Sequence, residues 1–226
     1  MFEDKKVVIW DLDNTLYRIT PEIADTLDET MAIALVHDLK VPLALDECKA
    51  LVKESYKQHR DGGEYFYQNY DISPKDLSFY YNKRNPVHLI EPYQNLALKL
   101  KQIPLEQYVF TASNRHASEK ILKRIGLYEI FQNRFFSVED FGVYKKNENA
   151  DVYRKYCEKI GFSPCDCIFV DDSYSNLEFA KQAGMTTIRI YYQNNSASDK
   201  DYIDAAFKGI EQCVDALICA TKNKVG

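Results

Sequence analysis

Two carboxylates, Asp11 and Asp13, close the apolar run Val7-Val8-Ile9-Trp10. A second pair, Asp171 and Asp172, closes Cys167-Ile168-Phe169-Val170 in the same way. A third run, Tyr108-Val109-Phe110, ends on the hydroxyls of Thr111 and Ser113. Charges at the ends of buried strands are costly to desolvate unless something neutralises them. In an open parallel α/β sheet the carboxyl ends of the strands border the ligand crevice, so the four carboxylates are expected to converge there. Unpaired, they would repel one another and drive at least one pKa upward. A hard divalent cation resolves the conflict; Mg2+ takes one or two carboxylates together with water and substrate phosphate. It also reverses the local charge, which admits a small anionic substrate.

The elements that must hold these residues are legible as β-branched or aromatic runs at 7–10, 108–111, 134–137, 167–170 and 186–191. Helical periodicity lies between most of them, over 115–125, 150–160 and 174–183. Strands alternating with helices imply βαβ units and a parallel sheet covered on both faces. Between the first two strands, however, residues 18 to 92 hold no strand run and several helical patterns. Thr20-Pro21 reads as an N-cap followed by Pro at the first helical position, and Ile23, Leu27, Met31 and Leu35 then line one stripe. Asp46 is read as the cap of a second helix bearing Cys48, Leu51, Val52 and Tyr56. A third helix, with Tyr93, Leu96, Ala97 and Leu100 on one face, leads back to the core. The expected fold is α/β, a Rossmann-like parallel core over 1–17 and 93–226 with an all-helical cap domain over 18–92. A long amphipathic helix is expected over 202–221, and Gln193–Lys200 reads as a loose polar segment.

The chain has 226 residues, 46% apolar and 28% charged, with a net charge of −5. No block of Lys and Arg offers the basic surface that duplex nucleic acid needs, and no apolar run approaches the ~18 residues of a membrane span. The first strand follows the N-terminus at once, leaving no room for a signal peptide, so a cytoplasmic location is expected. Six scattered cysteines without a C-x-x-C pair read as buried or semi-buried free thiols in a reducing compartment. Four dispersed histidines point to no triad.

Asp11-x-Asp13-x-Thr15, a strand ending in Thr111, a lysine region and the Asp171-Asp172 strand end, in that order, resemble the haloacid dehalogenase-like superfamily of phosphohydrolases. The insertion lies where that superfamily carries its C1-type helical cap. The DLDNTLY version, the cap length and FVDDSYSN look most like its pyrimidine 5′-nucleotidase branch. The resemblance implies Asp11 as a nucleophile that forms an aspartyl-phosphate, and Asp13 as the general acid and then base. Dehalogenases proper need neither Asp13 nor a metal. Thr111 and Ala112 become phosphate-binding positions, helped by N–H groups at the following helix N-terminus. Asp11, Asp13 (through its carbonyl), Asp171 and Asp172 would hold Mg2+. The superfamily lysine falls to Lys146, with Lys145 as the alternative; strict spacing would put it at Asn147, and no proline follows. Ala112 stands where the nucleotidase branch more often has Asn. The implied substrate is a small phosphorylated metabolite, a nucleoside 5′-monophosphate such as UMP or CMP. Phosphoglycolate or a sugar phosphate is the alternative, and a catalytically retired binding protein the third.

Plainer roles compete at each position. Asp11 and Asp13 suit a turn or helix cap, Thr111 a helix cap, Asp171-Asp172-Ser173 a cap for 174–183, and Lys145-Lys146 a solvated loop. Ser113 and Asn176 read as capping or supporting residues. In the segment 59–70 (HRDGGEYFYQNY), Tyr65 or Phe66 would stack on a base, or the aromatics pack inside the cap. Arg60 is a candidate to meet a substrate anion.

Overall fold

The computed structural model describes residues 2–192 and 200–221. The chain divides into two compact units, Met1–Arg18 with Glu91–Gly226, and Ile19–Ile90. In chain order the described strands and α-helices are β1 (Val7–Trp10), α1 (Pro21–Ile33), α2 (Leu45–His59), α3 (Glu64–Asn69), α4 (Pro74–Lys83), α5 (Leu96–Leu100), β2 (Glu106–Thr111), α6 (Arg115–Arg124), α7 (Tyr128–Phe131), β3 (Phe135–Ser137), α8 (Ala150–Ile160), β4 (Cys167–Asp171), α9 (Tyr174–Ala183), β5 (Thr186–Tyr191), β6 (Ala205–Lys208) and α10 (Ile210–Thr221).

The strands form one parallel sheet in the order β3-β2-β1-β4-β5-β6. The chain builds outward one way from β1 to β3, then returns to the other side of β1 for β4 to β6. The order reverses between β1 and β4, where a doubly wound sheet opens its ligand crevice. Register sets Trp10 opposite Val170, so the carboxylates that follow the two strands start level.

Both faces of the central strands are covered, and this is why β1 and β4 read as unbroken apolar runs. On one face Val7, Ile9, Cys167 and Phe169 meet Tyr153, Tyr156 and Cys157 of α8 and Leu177 and Ala180 of α9. Phe110 anchors that layer, its ring 4.5 Å from Tyr156 and 5.8 Å from Tyr153. Trp10, fully buried, donates its indole N–H to Gln107 at 3.2 Å.

The 202–221 stretch is not one helix. Ala205–Lys208 adds β6 to the edge of β5, with Ile188 opposite Ala205, and Gly209 at φ 78° turns the chain into α10. The helical spacing holds from Ile210 onward. Before it, the open edge of β5 supplies ladder partners that periodicity cannot see. Near 93–100 only Leu96–Leu100 is helical, because Asn95 sits at φ 65°. The loose segment expected at 193–200 lies, but for Lys200, outside the described residues. Of the six thiols, Cys165 and Cys219 are exposed rather than buried.

In the inserted unit, Thr20 caps α1 by accepting from the Ile23 N–H at 3.3 Å, ahead of Pro21. Asp46 is not a cap: α2 starts at Leu45 after Ala44, and Asp46 lies in its first turn, where its charge suits the helix dipole. The aromatic run packs within this unit. Phe66 is fully buried, stacked on Tyr70 at 5.9 Å and edge-on to Tyr65 at 5.4 Å, which removes Phe66 as a platform for a base. Arg60 is exposed in a left-handed conformation at the end of α2.

Candidate active site

Asp11 stands where β1 gives out. Its N–H donates to the Val170 carbonyl at 2.8 Å, so it is held as though the strand continued, and its side chain is buried. Asn14 then takes φ 58°, a left-handed conformation that Asn tolerates better than most residues. From that turn its Nδ2 donates to Asp172 Oδ2 at 2.7 Å. One short loop therefore both presents Asp11 and steadies a carboxylate from the end of β4.

Asp171 ends β4 with no exposure. Its Oδ1 accepts from the Ser173 N–H at 2.8 Å, and Asn176 Nδ2 lies 3.1 and 3.0 Å from its two oxygens. Lys146 Nζ completes the set at 2.7 Å from Oδ2. A carboxylate offers about four lone-pair positions; Asp171 gives most of its own to Ser173, Asn176 and Lys146, so Asp11 and Asp172 carry the less committed oxygens.

Lys146 reaches in from the loop between β3 and α8, a helix whose start is fixed by Asn149 accepting from the Asp151 N–H. It is 4% exposed and pairs with Asp11 Oδ1 as well as Asp171. Its ammonium also lies 5.9 and 5.5 Å from the ring centres of Phe110 and Phe169, a cation–π environment. Burial alone would discharge this lysine. Asp11 and Asp171 outweigh it and hold the ammonium above the ordinary lysine range.

The carboxylates show the opposite strain. Burial drives Asp11 well above the usual carboxylate range; Lys146 pulls it back, while Asp171, Asp13 and Asp172 push further upward. Asp172, half-buried as a residue but with a desolvated carboxyl, is pushed up to about 7 by burial and the Asp171 charge, against Asn14 and Lys146. One ammonium does not balance three carboxylates. One oxygen from each of Asp11, Asp171 and Asp172 lies within 4.8 Å of the others, a hard-oxygen set that fits a divalent cation.

The carboxyl of Asp13 is not in that set. It turns to Tyr17, which donates to Oδ1 at 2.7 Å, and to Ser113 and Thr111, which donate to Oδ2 at 2.9 and 3.1 Å. Thr111 is buried at the end of β2 and caps nothing: Asn114 caps α6 by accepting from the Ala117 N–H. Ala112 beside it is exposed. Ser173 makes no side-chain cap to α9 either: its hydroxyl pairs with that of Ser175 at 3.0 Å, while its N–H goes to Asp171. Lys146 is the lysine that meets Asp11 and Asp171; Lys145 is half-buried.

Sequence reasoning passed over Asn14, Tyr17 and the hydroxyl of Tyr153. The first was signalled by an Asn in a tight turn, the second by its place four residues after Asp13. Tyr153 is buried, without a hydrogen-bond partner among the described residues, and feels the charges of Asp171 and Asp11 after its own desolvation.

A family model described as haloacid dehalogenase-like hydrolase matches residues 5–184. A haloacid dehalogenase-like hydrolase domain-containing protein of Arabidopsis thaliana is 36% identical over 63 residues, 28% of this chain and 19% of that protein. The chain thus aligns with only about a fifth of that curated relative's length. Among solved structures, a HAD hydrolase, family IA, variant 3, from Entamoeba histolytica is 24% identical with a TM-score of 0.64, covering 96% of this chain and 100% of its own. A HAD family hydrolase from Deinococcus radiodurans R1 with bound phosphate and sodium is 15% identical, TM-score 0.60, covering 96% of each chain. An L-2-haloacid dehalogenase from Xanthobacter autotrophicus with chloropropionic acid covalently bound is 13% identical, TM-score 0.60, covering 94% and 98%. At these identities the likeness to the solved structures is one of fold.

Proposed function

The chain belongs to the haloacid dehalogenase-like hydrolase family, and on that premise we propose that it is a Mg2+-dependent phosphatase, cleaving small phosphate monoesters through an aspartyl-phosphate on Asp11. The observation that carries this reading is the buried ion pair of Asp11 with Lys146, beside two further carboxylates that share oxygens within 4.8 Å. Dehalogenases proper need neither a metal nor a carboxylate at the position of Asp13, so the surplus of negative charge and the presence of Asp13 favour the phosphatase reading.

Phosphate monoesters are among the slowest esters to hydrolyse unaided, and a covalent intermediate divides the barrier. Asp11 attacks phosphorus, and Lys146 keeps its carboxylate oriented while offsetting charge on the phosphoryl group. Thr111 and the backbone at Ala112 receive phosphoryl oxygens at the end of β2. Asp13 gives a proton to the departing alcohol and then takes one from water. Asp11, Asp172 and Asp171, with the carbonyl of Asp13, are the residues that would hold Mg2+, which when bound supplies neutralising charge to the phosphoryl oxygens.

The favoured substrates are nucleoside 5′-monophosphates, on the resemblance of DLDNTLY and FVDDSYSN to the pyrimidine 5′-nucleotidase branch. The inserted helical unit is the source of that selectivity. The test is a phosphate-release screen over nucleotides, sugar phosphates and phosphoglycolate, with Mg2+ and after its removal by chelation, comparing kcat/KM. Metal-dependent release, largest for UMP and CMP, supports the proposal. No metal-dependent release from any ester, or halide release from a 2-chloroacid without added metal, overturns it.

A further inference from the structure

Three hydroxyls converge on Asp13, and one of them is wanted elsewhere. Thr111 Oγ1 accepts from the Ser113 N–H at 3.0 Å and donates to Asp13 Oδ2 at 3.1 Å. A hydroxyl carries a single proton, so Thr111 cannot donate to a phosphoryl oxygen and to Asp13 at once. When phosphate binds, Thr111 must release Asp13. Two donors then remain, Tyr17 on Oδ1 at 2.7 Å and Ser113 on Oδ2 at 2.9 Å. Tyr17 is itself 2% exposed, so its hydroxyl has little water to turn to.

We propose that Tyr17 and Ser113 are positioning residues that fix the carboxyl of Asp13 for proton transfer once substrate has drawn Thr111 away. This rests on the phosphatase reading above. Each of the two hydroxyls holds one oxygen and so sets the plane of the carboxyl group. The lone-pair position that Thr111 vacates on Oδ2 lies beside the end of β2, where the phosphoryl group is received. The proton passes from that oxygen. As the Asp11–phosphorus bond forms and the bond from phosphorus to the ester oxygen breaks, the Asp13 proton moves to that oxygen and the alcohol leaves. Water then attacks phosphorus and gives a proton to the Asp13 carboxylate; the Asp11–phosphorus bond breaks, returning Asp11 as carboxylate with inorganic phosphate released.

A structural role for Tyr17 and Ser113 would slow all substrates alike, whereas positioning of an acid matters only where the leaving group needs a proton. The experiment compares kcat/KM, which reads through departure of the leaving group, for p-nitrophenyl phosphate and for an alkyl phosphate in Tyr17→Phe and Ser113→Ala. p-Nitrophenolate leaves without protonation; an alkoxide does not. General acid–base catalysis is worth ~10²–10⁴-fold, so loss of positioning is expected to change the ratio of the two constants by about 10- to 100-fold against the alkyl ester in both variants. The ratio should move in the same direction, and further, in Asp13→Asn. An unchanged ratio in both variants overturns the proposal, whether or not the absolute rates fall. If Tyr17→Phe does not fold, Ser113→Ala alone decides by the same ratio. Failure of the wild type to release phosphate from either ester would instead overturn the phosphatase reading.

Discussion

Lys146 Nζ lies 2.7 Å from Asp171 Oδ2, across 25 residues of chain, with both side chains shut off from solvent. The same ammonium pairs with Asp11. Removing one partner of a buried pair leaves the other charge uncompensated, at a cost of about 3–5 kcal/mol. Lys146→Met is therefore expected to lower the melting temperature in magnesium-free buffer. Added Mg2+ should recover more of that loss in the variant than it adds to the wild type, because the ion replaces the missing positive charge. Thermal melts with and without Mg2+ check this, and equal shifts in the two proteins would contradict it.

Asp11→Asn removes the proposed nucleophile while keeping its shape and an oxygen for Lys146. Turnover should fall by ~10⁴-fold or more, with the circular dichroism spectrum and melting temperature preserved. Residual activity above a few per cent, measured by phosphate release, would reassign the nucleophile.

Asn14 reaches Asp172 from a left-handed turn at φ 58°. Asn14→Gly keeps that backbone, which glycine adopts freely, and deletes only the hydrogen bond. Partners that orient a metal ligand are worth about 10–100-fold in affinity. The Mg2+ concentration for half-maximal activity should rise by about tenfold while kcat at saturating metal changes little; an Mg2+ titration measures both.

Asp204 takes Lys181 Nζ at 2.6 and 2.8 Å and the Thr187 N–H at 2.9 Å, tying the segment before β6 to α9 and β5. Burial alone would raise its pKa, but Lys181 and the Thr187 N–H hold it below the ordinary value. A lowered folded pKa adds stability above the unfolded pKa of about 3.9, and that stability is lost as pH falls through the folded value. Asp204→Asn should cost about 1–2 kcal/mol at neutral pH, allowing for its partial exposure, and the deficit should shrink on acidification below pH 4. Urea melts at pH 7 and pH 3.5 test the sign.

The strands over 7–10 and 167–170 were legible because each is a local apolar run buried on both faces, and 186–191 because Thr186, Thr187, Ile188 and Ile190 are β-branched. The carboxylates closing the runs at 7–10 and 167–170 were legible for the same reason, since a charge after such a run stands out within a few positions. Helix starts at Thr20 and Asn114 differ in this respect: the first carried a following proline, while the second was masked by hydroxyls at Thr111 and Ser113 that turn to Asp13 instead. β6 left no local signal, since Ala205–Lys208 becomes a strand only by the ladder that β5 offers.

Sequence by itself therefore determined the parallel α/β core, the helical insertion after the first strand, and the strand-end carboxylates with their surplus of negative charge. Only the tertiary structure decided that Lys146 pairs with Asp11, 135 residues away, that Asp171 is held by Asn176, Ser173 and Lys146, and that Asp13 turns from the other carboxylates toward Tyr17. The physical reason is range. Periodicity and capping act over one or two turns of chain, whereas the direction of a buried charged side chain is set by strand order and by which opposite charge the fold brings within a few ångströms of it.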